Sequence, residues 1–356
     1  MLALLGNGGL CRERFQVEVV LPVGARLIPD LKSQGIPYVE LPYLAERSFS
    51  IKAVGSLLKR MKFFKPNIVH THAALSGRLA ARLYRKCKIV HTRHSVFDPK
   101  PIHTRFPMRQ IFGAINNRLS DAIISVSPAA KDNLLALGTN DDKTHVIFNG
   151  MPPTKAYTAA ECAALREKYN IPKDAFVLAQ IARLTEVKGQ DDVLTAARDF
   201  PQHVIVLMAG DGDLRTHLES RINKENIHNV RLLGFINAVD EILAIMDVQI
   251  SASFGTEATS MALVQGMSVG KPAIVTDYGG NPYVITNGEN GLVVPKRNPA
   301  ALAEAVNRLC QDADLVSRMA ENARQCYKKR FTLNEMVENT EVLYEKLSFV
   351  RNHQPY

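Results

Sequence analysis

The stretch FVLAQIARLTEVKGQ, residues 176–190, carries the strand–loop–helix unit on which the predicted fold is built. Its first part, Phe176–Ile181, is apolar except for Gln180, and helical spacing follows at Gln190–Arg198. Fully buried parallel strands have this composition because helices cover both faces of the sheet. The stretch therefore predicts one strand of a parallel sheet followed by the loop and helix that cover it.

The same alternation extends from this unit in both directions. The predicted strands are Val17–Pro22, Tyr38–Leu41, Asn67–His72, Lys88–Thr92, Ala122–Ser127, His145–Phe148, Phe176–Ile181, His203–Ala209, Val230–Gly234, Val248–Ser251, Pro272–Thr276 and Gly291–Val294. The predicted helices between them include Ile51–Phe64, Ser76–Lys86, Pro128–Leu137, Gln190–Arg198, Leu214–Asn223, Ala238–Ile245, Ser260–Val269, Pro299–Cys310 and Ala313–Lys329. Two such sets in 356 residues predict two α/β domains with parallel sheets, joined by the turn-rich stretch Asn149–Thr158.

Composition excludes several classes of protein. Hydrophobic residues make up 46% of the chain and charged residues 22%, which excludes disordered and fibrous proteins. No apolar run approaches the roughly 18–20 residues of a membrane-spanning helix, and the N-terminus has no secretory-signal pattern. The five cysteines are scattered along the chain: Cys11, Cys87, Cys162, Cys310 and Cys326. This spacing excludes a zinc ribbon or a disulfide scaffold and fits a reducing cytosol.

Positive charge is concentrated in the first half of the chain. Residues 1–150 hold 22 Lys and Arg against 10 Asp and Glu, a net charge of +12, whereas residues 151–356 hold 22 against 25, a net charge of −3. This asymmetry indicates an anionic partner, with a merely solvated basic face as the alternative. Nucleic acid is not expected, because the basic stretches lack aromatic platforms apart from one hint at Met61–Lys65.

Two clusters follow predicted strands, where open α/β sheets bind their ligands. In the first, Arg183 and Lys188 lie in a loop that reaches a helix at Gly189, and two cations beside a helix N-terminus suit a diphosphate. In the second, Glu257 precedes a helix containing Gln265, about two turns further on. The alternatives are two solvated cations and an ordinary capped helix with an acidic residue before it.

Motifs across nearly the whole chain resemble, in order and spacing, a family-4 retaining glycosyltransferase of the GT-B fold. They are Asn67–His72, Val90–Ser95, Val146–Gly150, Ala182–Leu184 with Lys188–Gly189, Met208–Gly212, Leu233–Phe235, Glu257–Gln265, Gly270–Pro272, Asp277–Pro282 and Gly288–Pro295. The resemblance implies two Rossmann-like domains facing a cleft. We expect residues 1–152 to form the acceptor-side domain, 153–330 the donor domain, and 331–356 a C-terminal helix that packs back toward the N-terminal domain.

The resemblance also implies catalytic roles. Arg183 and Lys188 match the pair that binds the donor diphosphate, and Glu257 matches the first acid of the Glu-x7-Glu motif, which holds hydroxyls of the donor sugar. The second acid, which accepts from the ribose hydroxyls, is Gln265 here, and its carbonyl oxygen can still accept. His94 matches the histidine that reaches the reacting sugar.

Further positions complete the implied site. Either Thr259 or Ser260 caps the helix, and the remaining donor-side residues are Gly234, Phe235 and Met261, with Phe235 where a nucleobase packs. On the acceptor side we expect His72 and Asn149. Tyr283 replaces a glutamate that family members often carry. No protein metal site or cofactor is expected, because the two cations can neutralise the diphosphate and the acids of Asp211–Asp213 lie in a Gly-Asp-Gly turn.

The predicted activity is metal-independent transfer of a hexose, with retention, from a nucleotide sugar to a saccharide or lipid-linked acceptor in cell-surface polysaccharide, lipopolysaccharide or glycolipid synthesis. UDP is the nucleotide that the resemblance favours. The alternatives are a nucleotide-sugar epimerase of the same architecture and a non-catalytic nucleotide-sugar-binding relative. Met1–Phe15 is too short for the family's first strand, Gly-Gly loop and following helix together, and we expect the chain to lack the strand and the loop.

The protein is expected in the cytoplasm, with peripheral attachment to an anionic inner leaflet through its basic helices. The residues expected on that surface are Lys59, Arg60, Lys62, Lys65, Arg78, Arg82, Arg85 and Lys86.

Overall fold

The computed structural model describes residues 2–6, 8–44, 49–72 and 74–349. These residues form two units. The first holds the described residues up to Gly150 and those from Thr332 onward, and the second is Met151–Phe331. The boundaries expected after residues 152 and 330 lie within two residues of these. The end of the predicted C-terminal helical segment, residues 350–356, lies outside the described residues.

The first unit contains two parallel sheets. Strands β1 (Val19–Pro22) and β2 (Tyr38–Leu41) pair with each other. A second sheet has the order β3-β4-β5-β6 and consists of β3 (Ile68–His72), β4 (Lys88–Arg93), β5 (Ala122–Ser125) and β6 (Thr144–Val146). The helices of this half are α1 (Leu2–Leu5), α2 (Ile28–Ser33), α3 (Ile51–Phe64), α4 (Leu75–Tyr84), α5 (Pro101–Thr104), α6 (Met108–Leu119) and α7 (Pro128–Ala136). Residues 2–6 and 8–18 contain no strand, and the lack of a first strand stays a prediction.

The second unit is built on one six-stranded parallel sheet with the order β12-β11-β10-β7-β8-β9. Its strands are β7 (Phe176–Ile181), β8 (Val204–Ala209), β9 (Val230–Gly234), β10 (Val248–Ser251), β11 (Ala273–Thr276) and β12 (Gly291–Val294). The chain runs outward from β7 to β9, then returns to β10 on the other side of β7. This reversal is the topological switch point, beyond which parallel α/β sheets bind ligands.

Helices cover both faces of this sheet. They are α8 (Ala159–Lys168), α9 (Gln190–Ala196), α10 (Arg215–Lys224), α11 (Val239–Ile245), α12 (Met261–Ser268), α13 (Asn281–Val284), α14 (Pro299–Gln311) and α15 (Ala313–Arg330). Successive residues of β7 point to opposite faces. Leu178 packs in one core with residues of α9 and α14, while Val177 and Ala179 pack in another with residues of α11. Burial on both faces explains why β7 is apolar apart from Gln180, and the predicted parallel α/β fold is confirmed.

The last helix, α16 (Leu333–Phe349), belongs to the first unit. Its Val337 and Tyr344 share a buried core with Val19 of β1 and Val90 of β4. The helix thus packs on the N-terminal sheets. No helix in the described parts of the chain is long and apolar enough to cross a membrane.

The predicted basic surface needs one correction. Arg78 is only 8% exposed, because α4 packs its side chain inward, where its guanidinium donates to Asn116 Oδ1 at 3.1 Å. Arg60 is half-buried and forms an ion pair with Glu18. Six of the eight predicted cations remain exposed: Lys59, Lys62, Lys65, Arg82, Arg85 and Lys86.

Candidate active site

The loop between β7 and α9 is held in one conformation from both sides. The side-chain amide of Gln180 donates to the carbonyl of Lys188 at 2.8 Å, and that of Gln190 donates to the carbonyl of Arg183 at 2.9 Å. Gly189 has a φ of 70°, and a Cβ there would lie 2.2 Å from the carbonyl oxygen of Ala252. Only glycine allows this approach, which brings the loop against the residues that follow β10.

A glycine-rich turn after β8 supports the same loop. Cβ atoms at Gly210 and Gly212 would lie 1.9 and 2.4 Å from the carbonyl oxygens of Ala182 and Leu184. The Leu184 amide donates to the carbonyl of Asp211 at 3.0 Å, and the Asp211 carboxylate accepts from the Gly212 amide at 2.8 Å. The predicted Gly-Asp-Gly turn therefore braces the backbone on either side of Arg183.

The loop after β10 presents a buried carboxylate to this cation loop. Lys188 Nζ donates to Glu257 Oε2 at 2.5 Å, and Ser253 Oγ donates to the same oxygen at 3.1 Å. The two side chains of the ion pair are only 19% and 8% exposed. The backbone of Glu257 is fixed as well, because its carbonyl accepts from the Gly280 amide at 3.0 Å and leaves no room for a Cβ at Gly279.

Helix α12 begins at Met261, four residues after Glu257. Its N-cap is Ser260, one of the two residues expected there, whose hydroxyl faces the Leu263 amide at 3.5 Å. Thr259 is buried, at 9% exposure. The positive end of the helix dipole therefore lies beside Glu257 and Lys188, where it favours a bound anion.

These elements enclose a polar cavity of about 210 Å³. Gln180 and Gln249 are among its lining residues, and each has a buried side-chain oxygen with no hydrogen-bond partner among the described residues. Arg183 is exposed, and no carboxylate in the described parts of the chain lies within 4.0 Å of its guanidinium. The cavity is lined by Gln180, Ile181, Ala182, Arg183, Lys188, Gln249, Ile250, Ser251, Ser253, Glu257, Ser260, Met261 and Ala262.

The cavity gathers five of the predicted donor-side residues and leaves others outside its lining. It includes Arg183, Lys188, Glu257, Ser260 and Met261. The remaining predicted residues lie elsewhere in the second unit. Phe235 is 73% exposed just after β9, and Gly234 forms a backbone bridge with Gly210. Gln265 is half-buried on α12, and Thr259 is the buried residue just before its N-cap.

The predicted histidines of the first unit form a second constellation. His72 Nδ1 and His94 Nε2 lie 2.7 Å apart, and their rings stack with centroids 5.0 Å apart. His70 stacks on the other face of His72 at 4.6 Å. The ring nitrogens of His70 are within hydrogen-bond distance of Tyr344 Oη, at 2.5 Å, and Thr92 Oγ1, at 2.6 Å. Asn149, the other predicted acceptor-side residue, is half-buried after β6.

These imidazoles are neutral at pH 7. Burial lowers the pKa of His70 to about 3 and that of His72 to about 2, and burial also lowers the pKa of His94. A neutral imidazole has one donor and one acceptor nitrogen, so the close contact requires one ring to donate to the other. The tautomer of exposed His94 is therefore tied to that of His72.

Several contributors were absent from the sequence prediction. Gln180 and Gln249 are polar residues within otherwise apolar strands, a signal that sequence alone offers. His70 had a signal as well, because it alternates with His72 on one predicted strand. Ser253 and Tyr344 lack such a signal, because the contact of Ser253 depends on the path of a loop and that of Tyr344 joins positions far apart in the chain.

Solved structures show the same fold. HepE from Anabaena, crystallised with UDP, matches with a TM-score of 0.82 over 92% of both chains, at 20% identity. A glycosyltransferase from Rickettsia africae matches with a TM-score of 0.79 over 93% of this chain and 89% of that one, at 23% identity. Both matches span the two units and confirm the GT-B fold.

Two family models match consecutive parts of the sequence. Glycosyltransferase Family 4 matches residues 8–155, and Glycosyl transferases group 1 matches residues 163–326. The chain is a GT-B glycosyltransferase of the family-4 type. This glycosyltransferase is also 28% identical, over 83% of its length and 79% of the relative's, to the UDP-Gal:alpha-D-GlcNAc-diphosphoundecaprenol alpha-1,3-galactosyltransferase of Escherichia coli. It is 26% identical to the putative glycosyltransferase EpsD of Bacillus subtilis, over 84% of its own length and 85% of the relative's.

Proposed function

We propose that the glycosyltransferase moves a hexose from a UDP-sugar to a hydroxyl of a saccharide or lipid-linked acceptor, with retention at the anomeric carbon. The observation that carries the proposal is the cavity at the switch point of the second unit, where Arg183 and Lys188 meet Glu257 and the N-terminus of α12. Such a site offers cations and helix amides to a diphosphate, and a carboxylate to sugar hydroxyls.

The diphosphate is the leaving group, and its negative charge grows as the bond to the sugar breaks. The Arg183 guanidinium supplies a planar fork and Lys188 a point charge. Lys188 already lies against Glu257, so a bound diphosphate would share this cation with the carboxylate. Charges fixed in place before the reaction are the largest contribution in many enzymes, and here they stabilise the departing diphosphate.

The proposed transfer takes place on one face of the sugar. The bond between the anomeric carbon and the diphosphate oxygen breaks, and the acceptor oxygen forms the new bond on the same face. The acceptor proton passes to the departing diphosphate oxygen. Glu257 would accept hydrogen bonds from hydroxyls of the donor sugar and hold the sugar in the orientation that the reaction needs. His94, held by His72, would reach the reacting sugar from the acceptor side.

The remaining positions would bind the nucleoside and the acceptor. Exposed Phe235 would pack against the base, and Gln265 would accept from the ribose in place of a carboxylate. Gly234 and Thr259 would complete the donor site. Tyr283, at 37% exposure, stands where family members often carry a glutamate, and we assign it no role.

The nucleotide and acceptor are proposed from relatives. HepE was crystallised with UDP and with UDP-glucose, and the Escherichia coli relative is named for a UDP-sugar donor and a diphosphoundecaprenol-linked acceptor. We propose the same chemical classes here, in the synthesis of a cell-surface polysaccharide, lipopolysaccharide or other glycolipid. The reaction would take place in the cytoplasm, at the inner face of the membrane.

Turnover with and without acceptor tests this function. UDP release is measured from a panel of UDP-sugars, with a membrane lipid extract as the source of acceptor. We expect release that requires the acceptor and persists in the presence of EDTA, since Arg183 and Lys188 neutralise the diphosphate. Glu257→Gln should lower the rate about 10²–10³-fold, the usual cost of losing one preorganised polar contact. The exposed Glu304→Gln is the control and should keep the wild-type rate.

Other outcomes would contradict the proposal in distinct ways. Isomerisation of the sugar without acceptor would indicate the epimerase, and binding without turnover would indicate the non-catalytic relative. Loss of activity with EDTA, restored by a divalent cation, would refute the metal-independent part alone. A wild-type rate for Glu257→Gln would refute the placement of the donor sugar.

A further inference from the structure

The chain between β4 and β5 forms a surface that the proposed donor and acceptor sites do not use. We call residues 100–119, which include α5 and α6, the amphipathic segment. No Asp or Glu occurs from residue 99 to residue 120. The segment carries four exposed cations, none of them within 4.0 Å of a carboxylate in the described parts of the chain: Lys100, Arg105, Arg109 and Arg118.

Large apolar side chains stand beside these cations in solvent. Phe106 is 82% exposed, Ile102 62%, Ile111 46% and Ile115 40%. Scattered single apolar residues are ordinary on protein surfaces, but four within fourteen residues of one segment mark an interaction surface.

The helical geometry of α6 places its share of these groups on one face. Its inner face is defined by Gly113, where a Cβ would lie 2.2 Å from the carbonyl oxygen of Gly138, and by Asn116, whose amide donates to Thr139 Oγ1 at 3.1 Å. Ile111 and Ile115, four residues apart, point the opposite way. Arg118, three residues further, continues this outward stripe.

Helix α5 is held against α6 beside that stripe. The ring of His103 meets the ring of Phe112 edge to face, with centroids 5.6 Å apart. Because His103 faces α6, Ile102 and Phe106 on either side of it remain exposed. The two helices thus present apolar and cationic side chains together, and no acidic side chain of the segment opposes them.

The predicted surface on α3 and α4 fits a membrane less well. Its large aromatic, Phe63, is 75% exposed, but the guanidinium of Arg60 lies 4.7 Å from the ring centroid and is itself paired with Glu18. Arg78 is buried. In this surface the Phe63 ring is already in contact with the Arg60 guanidinium. No such cation contact is described for the ring of Phe106 in the amphipathic segment.

We propose that the amphipathic segment binds the surface of an anionic phospholipid bilayer. Interfacial helices bind by inserting apolar side chains at the level of the headgroups while basic residues contact anionic lipid. Here Phe106, Ile102, Ile111 and Ile115 enter the interface, and the four cations lie among the headgroups. Binding of this kind is peripheral and is weakened by salt.

Flotation with lipid vesicles tests the proposal on the full chain. Vesicles of phosphatidylcholine with and without phosphatidylglycerol are compared at low and high salt. We expect binding that needs phosphatidylglycerol and weakens with salt. The pair Arg105→Ser with Arg118→Ser should weaken it roughly 25-fold, about five-fold for each cation. Phe106→Ser should weaken it about ten-fold and act at both salt concentrations.

Matched changes on α3 are the controls. Phe63→Ser and the pair Lys59→Ser with Lys62→Ser remove the same kinds of exposed group from the other basic surface. They should leave vesicle binding within two-fold of wild type, and all variants should unfold at the wild-type temperature. The proposal is overturned if the α3 variants lose binding and the segment variants keep it, if anionic and neutral vesicles bind equally, or if no vesicle binds. If no vesicle binds and the segment variants instead lose self-association, the partner of the amphipathic segment is a second copy of this chain and the membrane proposal is overturned.

Discussion

The ion pair of Lys188 and Glu257 is costly for the fold and useful only for a ligand. Removing two charges from water is expensive, and apolar residues of similar volume are often at least as stable as a buried pair. Both side chains nevertheless line a polar cavity, and Ser253 adds a hydrogen bond to the carboxylate. We interpret the pair as a preorganised site, in which each charge holds the other in place until the donor arrives.

Among single residues, His91 makes the stability of the first unit depend on pH. His91 is 5% exposed, and burial, with Arg78 and Arg93 nearby, lowers its pKa from 6.5 to about 3. The unfolded chain takes up this proton near pH 6.5, whereas the folded chain does not until about pH 3. The contribution of His91 to the unfolding free energy is therefore fully present above pH 6.5 and is lost as the pH falls toward 3.

The expected contribution of His91 between pH 7 and pH 5 is about 2 kcal/mol of unfolding free energy. His91→Gln should reduce the fall in stability over this interval by about that amount. The measurement is urea unfolding followed by circular dichroism, since the chain has no tryptophan. Parallel stability curves for the variant and the wild type from pH 7 to pH 5 would contradict the assignment.

At the scale of elements, the site depends on loops that leave neighbouring strands at the switch point. The loop after β7 carries the cations, and the loop after β10 carries the carboxylate. Glycines allow the close approach between them, because backbone atoms of one loop occupy the space where the other would have a Cβ. The geometry of the site is thus set by backbone packing before any charged side chain is placed.

Gly189→Ala tests this dependence. An alanine there needs a left-handed conformation and meets the Ala252 carbonyl oxygen. We expect a loss of at least about 2 kcal/mol in unfolding free energy and weaker UDP binding. Gly55→Ala in α3 is the matched control, because a Cβ there meets nothing within 4 Å. It should raise stability by about 0.5–1 kcal/mol through helix propensity. Equal behaviour of the two variants would contradict the packing argument.

Much of this architecture could be predicted from local pattern. The predicted bounds of α3 and of β7 and β9 coincide with the structure, because strong apolar periodicity and clear ends coincide there. Helix α8 was missed because it buries no residue, although its helix-forming composition and the capping box of Thr158 and Glu161 were signals. Helix α6 was also missed, although Met108, Ile111, Ile115 and Leu119 follow helical spacing, a signal that the sequence offers.

The candidate site was predicted in part for the same physical reasons. Arg183, Lys188 and Glu257 follow predicted strands, so topology alone brings them to one edge of the sheet. The partnership of His72 with His94 and the support from Tyr344 depend on packing between β3, β4 and α16, which no local pattern records. Residues with the correct chemistry could therefore be chosen from the sequence, but their partners could not.

At the scale of the whole molecule, positive charge is concentrated in the first 150 residues. The first 150 residues carry a net charge of +12 and contain the amphipathic segment, while the remaining chain carries −3 and contains the proposed diphosphate site. The excess positive charge therefore lies outside the part of the chain that holds the proposed site, whose cations are Arg183 and Lys188. This division is consistent with a donor unit that binds nucleotide and an acceptor-side unit that meets an anionic surface.

The central claim is that UDP binds the second unit through Arg183. Calorimetric titration of UDP into the full chain tests it most directly, using wild type, Arg183→Ala and the control Arg308→Ala, an exposed arginine on α14. Loss of one charge-assisted contact to the diphosphate should weaken UDP binding at least about ten-fold in Arg183→Ala. Arg308→Ala should bind as wild type does. Equal affinity in all three proteins, or no UDP binding by the wild type, would contradict the account.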